Sequence, residues 1–131
     1  MKLSTKSRYG LRAVCFLAQN YTKEPVSLTK IAEGTGQTKP YLEKLLNLLR
    51  KKKIVLSTRG AFGGYYLARE PNQISAGEVL RALEDELVFA DCNTTCKIKC
   101  PNRFVFNKLY NEINKTLNSI SISEMLESDK E

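Results

Sequence analysis

The chain of 131 residues contains no histidine, no tryptophan and no run of 18 apolar residues. Each absence excludes something. A cysteine nucleophile needs a base such as histidine, so cysteine-based catalysis is not expected and the chain reads as no enzyme. Without a long apolar run there is no transmembrane helix, and residues 1–4 are too few for a targeting segment, so a cytoplasmic protein with no membrane partner is expected. No glycine-rich cofactor loop follows a strand, and neither an internal repeat nor a low-complexity tract is present. The length fits one domain, or one small domain with an extension, and is enough to bury an ordinary core.

What is there is charge, unevenly spread. The formal net charge is +7. Residues 1–69 hold 14 Lys and Arg against 3 acids, giving +11, whereas residues 70–131 hold 7 against 11, giving −4. A basic face confined to one half points to phosphate contact there and to a different task for the other half.

The basic half carries the informative stretch, residues 27–67. Ser27 can cap a short helix with Leu28, Ile31 and Ala32 inward, expected to end by Gly34. Thr35, Gly36 and Gln37 make a tight turn, with Gly36 supplying backbone freedom and Ala32 small enough for the helices to close. Gln37 is polar where an apolar residue usually follows the turn glycine. A second helix, residues 38–52, starts on Thr38 with Pro40 in its first turn. Leu42, Leu45, Leu46 and Leu49 form one apolar stripe, leaving Lys39, Tyr41, Glu43, Lys44, Asn47 and Lys51 for a groove. Ile54-Val55-Leu56 and Tyr65-Tyr66-Leu67 then flank a glycine-rich tip carrying Arg59, a hairpin that reads as a wing. Small residue, turn glycine, capped helix, basic end and hairpin in this order point to double-stranded DNA.

The remaining elements frame this reader. A first helix is expected over residues 5–20, apolar almost all round from Ala13 to Ala18, with Lys6, Tyr9 and its neighbours Arg8 and Arg12 near its start as further DNA contacts. Cys15, inside that run, reads as a small buried hydrophobe. Ser75 and Glu78 form a capping box for a helix over 75–88, through Val79, Leu80, Leu83 and Leu87. A cysteine loop spans 91–101, and a helix over 102–119 presents Phe106, Leu109, Ile113, Leu117 and Ile120 as a narrow stripe. At about 27 Å it exceeds what a small domain needs for its own core, so it is assigned to homodimerisation. Ser121 and Glu124 cap a last helix over 121–127. The fold class is therefore mainly α with a small β-hairpin: a winged helix-turn-helix over 1–69, then a sensor and dimerisation region over 70–131 built on a long C-terminal dimerisation helix.

Cys92, Cys96 and Cys100 fall within nine residues as C-x3-C-x3-C. In a reducing compartment a structural disulfide is not expected. Lys97 and Lys99 favour thiolates and offset the charge of a bound group. An iron-sulfur cluster is favoured over a dithiol switch, a zinc site or inert clustering. A fourth ligand would be a carboxylate such as Asp91, Asp85 or Glu84, a residue of a partner subunit, or a small molecule. Pro101 joins the loop to the long helix, offering a route by which loop occupancy repositions that helix.

These features resemble the Rrf-type family of bacterial winged-helix repressors, in its iron-sulfur cluster regulator (IscR-like) branch. The likeness covers nearly the whole chain: the opening MKLSTKSRYGLRA, the helix YLEKLLNLLRKKKIV, the wing STRGAFGGYYLA, then ISAGEVLRALE, the three-cysteine loop and NSISISEML. It implies a homodimer with crossed C-terminal helices, a palindromic operator, and a 2Fe-2S or 4Fe-4S cluster on Cys92, Cys96 and Cys100 that senses iron-sulfur, redox or nitric oxide status. It also implies that Tyr41, Glu43 and Lys44 lie in the major groove, beside Thr38 and Lys39, and that Arg59 enters the minor groove. Glu43 matches a glutamate that opposes binding to one class of site when the cluster is absent, as expected of a carboxylate facing acceptors. No histidine follows the last cysteine, and Arg8 stands where nitric-oxide-sensing relatives carry an acidic ligand. Two rivals accompany this reading: the same regulator with a thiol or zinc switch or a partner-protein sensor, and, of another class, an iron-sulfur redox carrier.

Overall fold

The structure, a computed structural model, describes residues 3–21, 24–84 and 101–130. In chain order it comprises α1 (Thr5–Gln19), α2 (Leu28–Thr35), α3 (Lys39–Lys51), β1 (Val55–Thr58), β2 (Gly64–Leu67), a 3₁₀ turn (Pro71–Gln73), α4 (Ala76–Leu83), α5 (Asn102–Ser119) and α6 (Ile122–Ser128). It is a helical fold with one two-stranded antiparallel hairpin.

The caps behave as their side chains dictate. Ser27, Thr38, Ser75 and Ser121 each accept a hydrogen bond from the backbone N–H three residues on, satisfying a donor left over in the first turn. Helix α2 ends later than expected. It runs through Gly34 to Thr35, and Gly36 caps it in the left-handed region at φ 71°, its N–H donating to the Ala32 carbonyl at 2.9 Å. Gly34 is glycine for a tertiary reason: a Cβ there would lie 2.0 Å from the Phe16 ring, so the close approach of α1 and α2 occurs at Gly34.

The Leu42, Leu45, Leu46 and Leu49 stripe of α3 is fully buried, each side chain contributing roughly 2 kcal/mol by leaving water. It meets Ala13, Val14 and Leu17 of α1 and Ile31 of α2 in one core. The hairpin pairs Val55 with Leu67 and Thr58 with Gly64. Val26 adds a bridge the sequence did not signal, exchanging two 2.8 Å backbone hydrogen bonds with Tyr65. Gly64 permits this, since a Cβ there would meet the Val26 carbonyl oxygen at 2.3 Å.

Ile74, Val79, Ala82, Leu83 and Ile122 join the same core, against α1. The chain returns beside itself at Ser75 and Ser121, with the Ala76 N–H donating to the Ile120 carbonyl and the Ile122 N–H to the Ile74 carbonyl. Helix α4 is shorter than the expected 75–88. It stops at Leu83 because Glu84 turns extended (φ −103°, ψ 138°) and its carboxylate goes to α1 instead. Positions 85–88, including Leu87, lie outside the described residues, as does the cysteine loop up to Cys100.

Helix α5 spans the expected 102–119 and buries no residue fully. Arg81 of α4 donates to the side-chain oxygens of Asn114 and Asn118, fixing its far end. Phe106, Ile113, Leu117 and Ile120 are half-buried, while Phe104 (70%), Val105 (59%), Leu109 (43%) and Tyr110 (37%) are exposed. Among the described residues no helix is long and apolar enough to cross a membrane.

Candidate nucleic-acid interface

Helix α3 is held from both sides. Its leucine stripe locks it into the core, and Thr38 accepts the Tyr41 N–H at its start. Opposite the stripe, Thr38, Lys39, Glu43, Lys44 and Lys51 are exposed and Asn47 is half-buried. Tyr41, grouped by sequence with the outward residues, is half-buried instead. Its ring makes a T-shaped pair with Tyr9 from α1, with centroids 6.1 Å apart and planes at 86°.

Tyr9 is a junction. The Arg12 and Arg8 guanidinium carbons lie 5.3 and 5.9 Å from its ring centroid, within the range of cation-π attraction. Its backbone carbonyl accepts from the Gln37 amide at 3.2 Å. The polar residue after the turn glycine thus ties the turn to α1, with its own carbonyl oxygen buried and unpartnered among the described residues. Cation-π attraction holds the first-helix arginines over Tyr9, whose ring in turn meets Tyr41 of α3. The Arg8-Tyr9 and Arg12 spacing of one and three residues was the only sequence signal for this cluster.

The wing leaves α3 on a short cap. Lys53 adopts φ 60°, and Ile54 donates back to the Leu49 carbonyl at 3.0 Å, so the strand starts at once. Arg50 of α3 donates to the Ser57 hydroxyl of β1 at 3.4 Å. Arg59 is exposed at the tip, and Lys6 is exposed near the start of α1.

Beside Lys6 lies a clasp the sequence did not reveal. One carboxylate oxygen of Glu84 accepts from the Ser4 N–H at 3.0 Å, from the Ser4 hydroxyl, and from the buried Ser7 hydroxyl at 2.6 Å. The Ser4 and Ser7 hydroxyls, then the Ser4 N–H and the Lys6 charge, hold this carboxyl below its usual range.

Cys92, Cys96, Cys100, Asp85 and Asp91 lie outside the described residues. Among those described, no group of three or more His, Cys, Asp or Glu could hold a metal ion. Cys15 is half-buried, and burial, with a smaller effect of Asp129, pushes its thiol up, away from the reactive thiolate.

Residues 3–128 match the family model described as "Rrf2: Iron-dependent Transcriptional regulator". The chain belongs to the Rrf2 family. It is 35% identical to "Protein rrf2" of Nitratidesulfovibrio vulgaris, covering 96% of this chain and 87% of that one. Among solved structures, T. potens IscR superposes with a TM-score of 0.80 at 42% identity, over 98% of this chain and 88% of that chain. CymR, the global cysteine regulator of B. subtilis, gives 0.82 at 33% identity, over 95% of each. The chain is thus an Rrf2-type winged-helix regulator of the IscR-like branch, a DNA-binding transcription factor and not an enzyme. The redox-carrier alternative is set aside by these relatives.

Proposed function

We propose that two copies of this Rrf2-family regulator read a palindromic operator and that Cys92, Cys96 and Cys100 report iron-sulfur, redox or nitric oxide status through a bound 2Fe-2S or 4Fe-4S cluster. The observation that carries the DNA half is α3 itself. It is buried along one stripe, capped by Thr38, buttressed at Tyr41 by Tyr9, and exposed at Lys39, Glu43 and Lys44 beside a wing with Arg59 at its tip. Lys44 and Tyr41 contact base edges, Glu43 penalises acceptor-rich edges, Thr38, Lys39, Tyr9 and Lys6 position the backbone, and Arg59 enters the minor groove.

Dimerisation is supported by α5. Val105, Leu109, Tyr110, Phe106, Ile113, Leu117 and Ile120 fall within one arc of roughly 140° at 100° per residue, and three of them are left exposed. A second copy of the helix covers such a face, and the pair presents two wings to half-sites about one helical turn apart.

The donor set fits a cluster. Three thiols in nine residues, flanked by Lys97 and Lys99, match thiolate ligation, and the cluster would supply a redox- and ligand-sensitive charge at that loop. Of the carboxylates near the loop, Glu84 has an oxygen committed to Ser4 and Ser7. Likeness to CymR favours one second reading, in which the same regulator responds through thiol or zinc chemistry or a partner protein.

Anaerobic purification with iron and sulfide analysis and absorption spectroscopy separates the two. Colourless, iron-free protein after anaerobic reconstitution removes the cluster and leaves the regulator. For DNA, gel shifts should weaken by orders of magnitude between about 50 and 200 mM salt. Arg59→Ala should lose roughly 1–3 kcal/mol and lower the salt slope by about 1; binding that ignores both changes refutes the interface.

A further inference from the structure

Resting on the DNA-binding function assigned above, we infer that Phe62, at the crest of the wing, is a second groove-contacting side chain beside Arg59: an apolar contact seated edge-on against the sugar walls of the minor groove.

The hairpin register ends at Thr58 and Gly64, so residues 59–63 form the tip. Gly63 donates its N–H to the Gly60 carbonyl at 3.0 Å, closing a turn with Ala61 and Phe62 at its corner. Glycine is required at both ends of that turn. Gly60 has φ 104°, and a Cβ on Gly63 would lie 2.4 Å from the Thr58 carbonyl oxygen. The turn is therefore fixed by backbone, and it projects Phe62 outward without using the side chain for folding.

Phe62 is 94% exposed, more than any other large apolar residue described. Val105, Leu109 and Tyr110 of α5 share one face, whereas Phe62 stands alone at a loop tip that also carries Arg59. An isolated ring is a poor protein-docking patch, which needs contiguous apolar area. It suits a narrow groove, where a flat ring enters edge-on and apolar wedges recur among minor-groove binders. Phe62 also stands at the mouth of an open cleft between the wing tip and the start of α2, lined by Val26, Ser27 and Lys30, so its ring has space around it. Burying the ring against sugar recovers apolar area that folding leaves in water.

Such a contact carries no charge and reads no base identity, which distinguishes it from Arg59. The probe is a duplex selected from random-sequence DNA by the full-length protein. Phe62→Ala should weaken binding about tenfold at every salt concentration, with an unchanged salt slope and an unchanged melting temperature. Because the chain has no tryptophan, Phe62→Trp places a single reporter at the tip. Its emission should shift to the blue and resist iodide quenching when the duplex is added. Alanine-variant binding within about twofold of wild type, or tryptophan emission indifferent to a duplex that binds, overturns the inference and leaves DNA binding standing. Retained DNA affinity with lost self-association assigns the ring to contact between copies and also overturns it. If the wild-type protein binds no duplex at all, the DNA-binding reading falls together with this one.

Discussion

Gly10 lies inside α1, and its missing Cβ is where α4 packs. A Cβ built there would sit 2.3 and 2.7 Å from the two Leu83 methyls and 3.1 Å from Leu83 Cγ. Carbon atoms rest about 3.5–4.0 Å apart, so Gly10→Ala forces a displacement of about 1 Å or more. Two effects oppose each other. Alanine in a helix interior gains about 1 kcal/mol over glycine. Overpacking a filled core costs typically about 1–3 kcal/mol, and Leu83, 1% exposed, has no open side to yield toward. The clash should win, leaving Gly10→Ala destabilised by up to about 2 kcal/mol. The assay is urea unfolding followed by circular dichroism at fixed protomer concentration, because the proposed dimerisation would make apparent stability concentration-dependent. A double-mutant cycle makes the reasoning refutable. Leu83→Ala alone should lose about 2–5 kcal/mol through its cavity, but in that background Gly10→Ala should become neutral or stabilising by up to about 1 kcal/mol, since the space is free and the propensity gain remains. A stabilising Gly10→Ala in the wild-type background, or the same cost in both, would show that α1 and α4 do not meet through this pair.

Two further outcomes follow from local geometry. Glu84→Gln should cost about 1 kcal/mol at neutral pH, a charge-assisted bond discounted for partial exposure. Because the folded-state carboxyl is held below the ordinary carboxylate range, the stabilisation is present above that range and lost as pH falls through the lowered value. The wild-type advantage over Glu84→Gln should therefore shrink on acidification through the carboxylate range and vanish once pH is below the lowered value, and an advantage that persists there refutes the clasp. Lys53→Gly should stabilise by about 1 kcal/mol in thermal unfolding, since Lys53 holds φ 60° as a non-glycine residue; no gain would place that strain elsewhere.

The periodic parts of the chain were legible because their causes are local. The leucine stripe of α3, the serine and threonine caps and the bounds of α5 are set by residues within one or two turns of each other. The outward Lys39, Glu43 and Lys44 follow from the same stripe. Where the expected boundaries shifted, the cause was distant in sequence. Helix α2 passes Gly34 because Phe16 fills the space of its side chain, and α4 ends early because Glu84 bonds Ser4, 80 residues away. Tyr41 is half-covered for a like reason, since its partner Tyr9 belongs to another helix. Gln37, an exception to the turn pattern, became intelligible only with the Tyr9 carbonyl in view.

These long-range contacts also bear on how the two halves are joined. The sequence pointed to α5 as the relay, yet the described α5 meets the rest of the fold chiefly through α4, at Arg81 and Gly77. A more direct path starts at Glu84, seven residues before the 91–101 cysteine loop. Glu84 grips Ser4 and Ser7, Leu83 fills the notch at Gly10, and within the same two turns of α1 Tyr9 supports Tyr41 and binds Gln37. The size of any signal on this path is bounded by the bonds it makes and breaks. Releasing the Glu84 carboxylate is worth about 1 kcal/mol, so a signal routed through it would change operator affinity by roughly fivefold, at the lower end of the usual coupling between two sites.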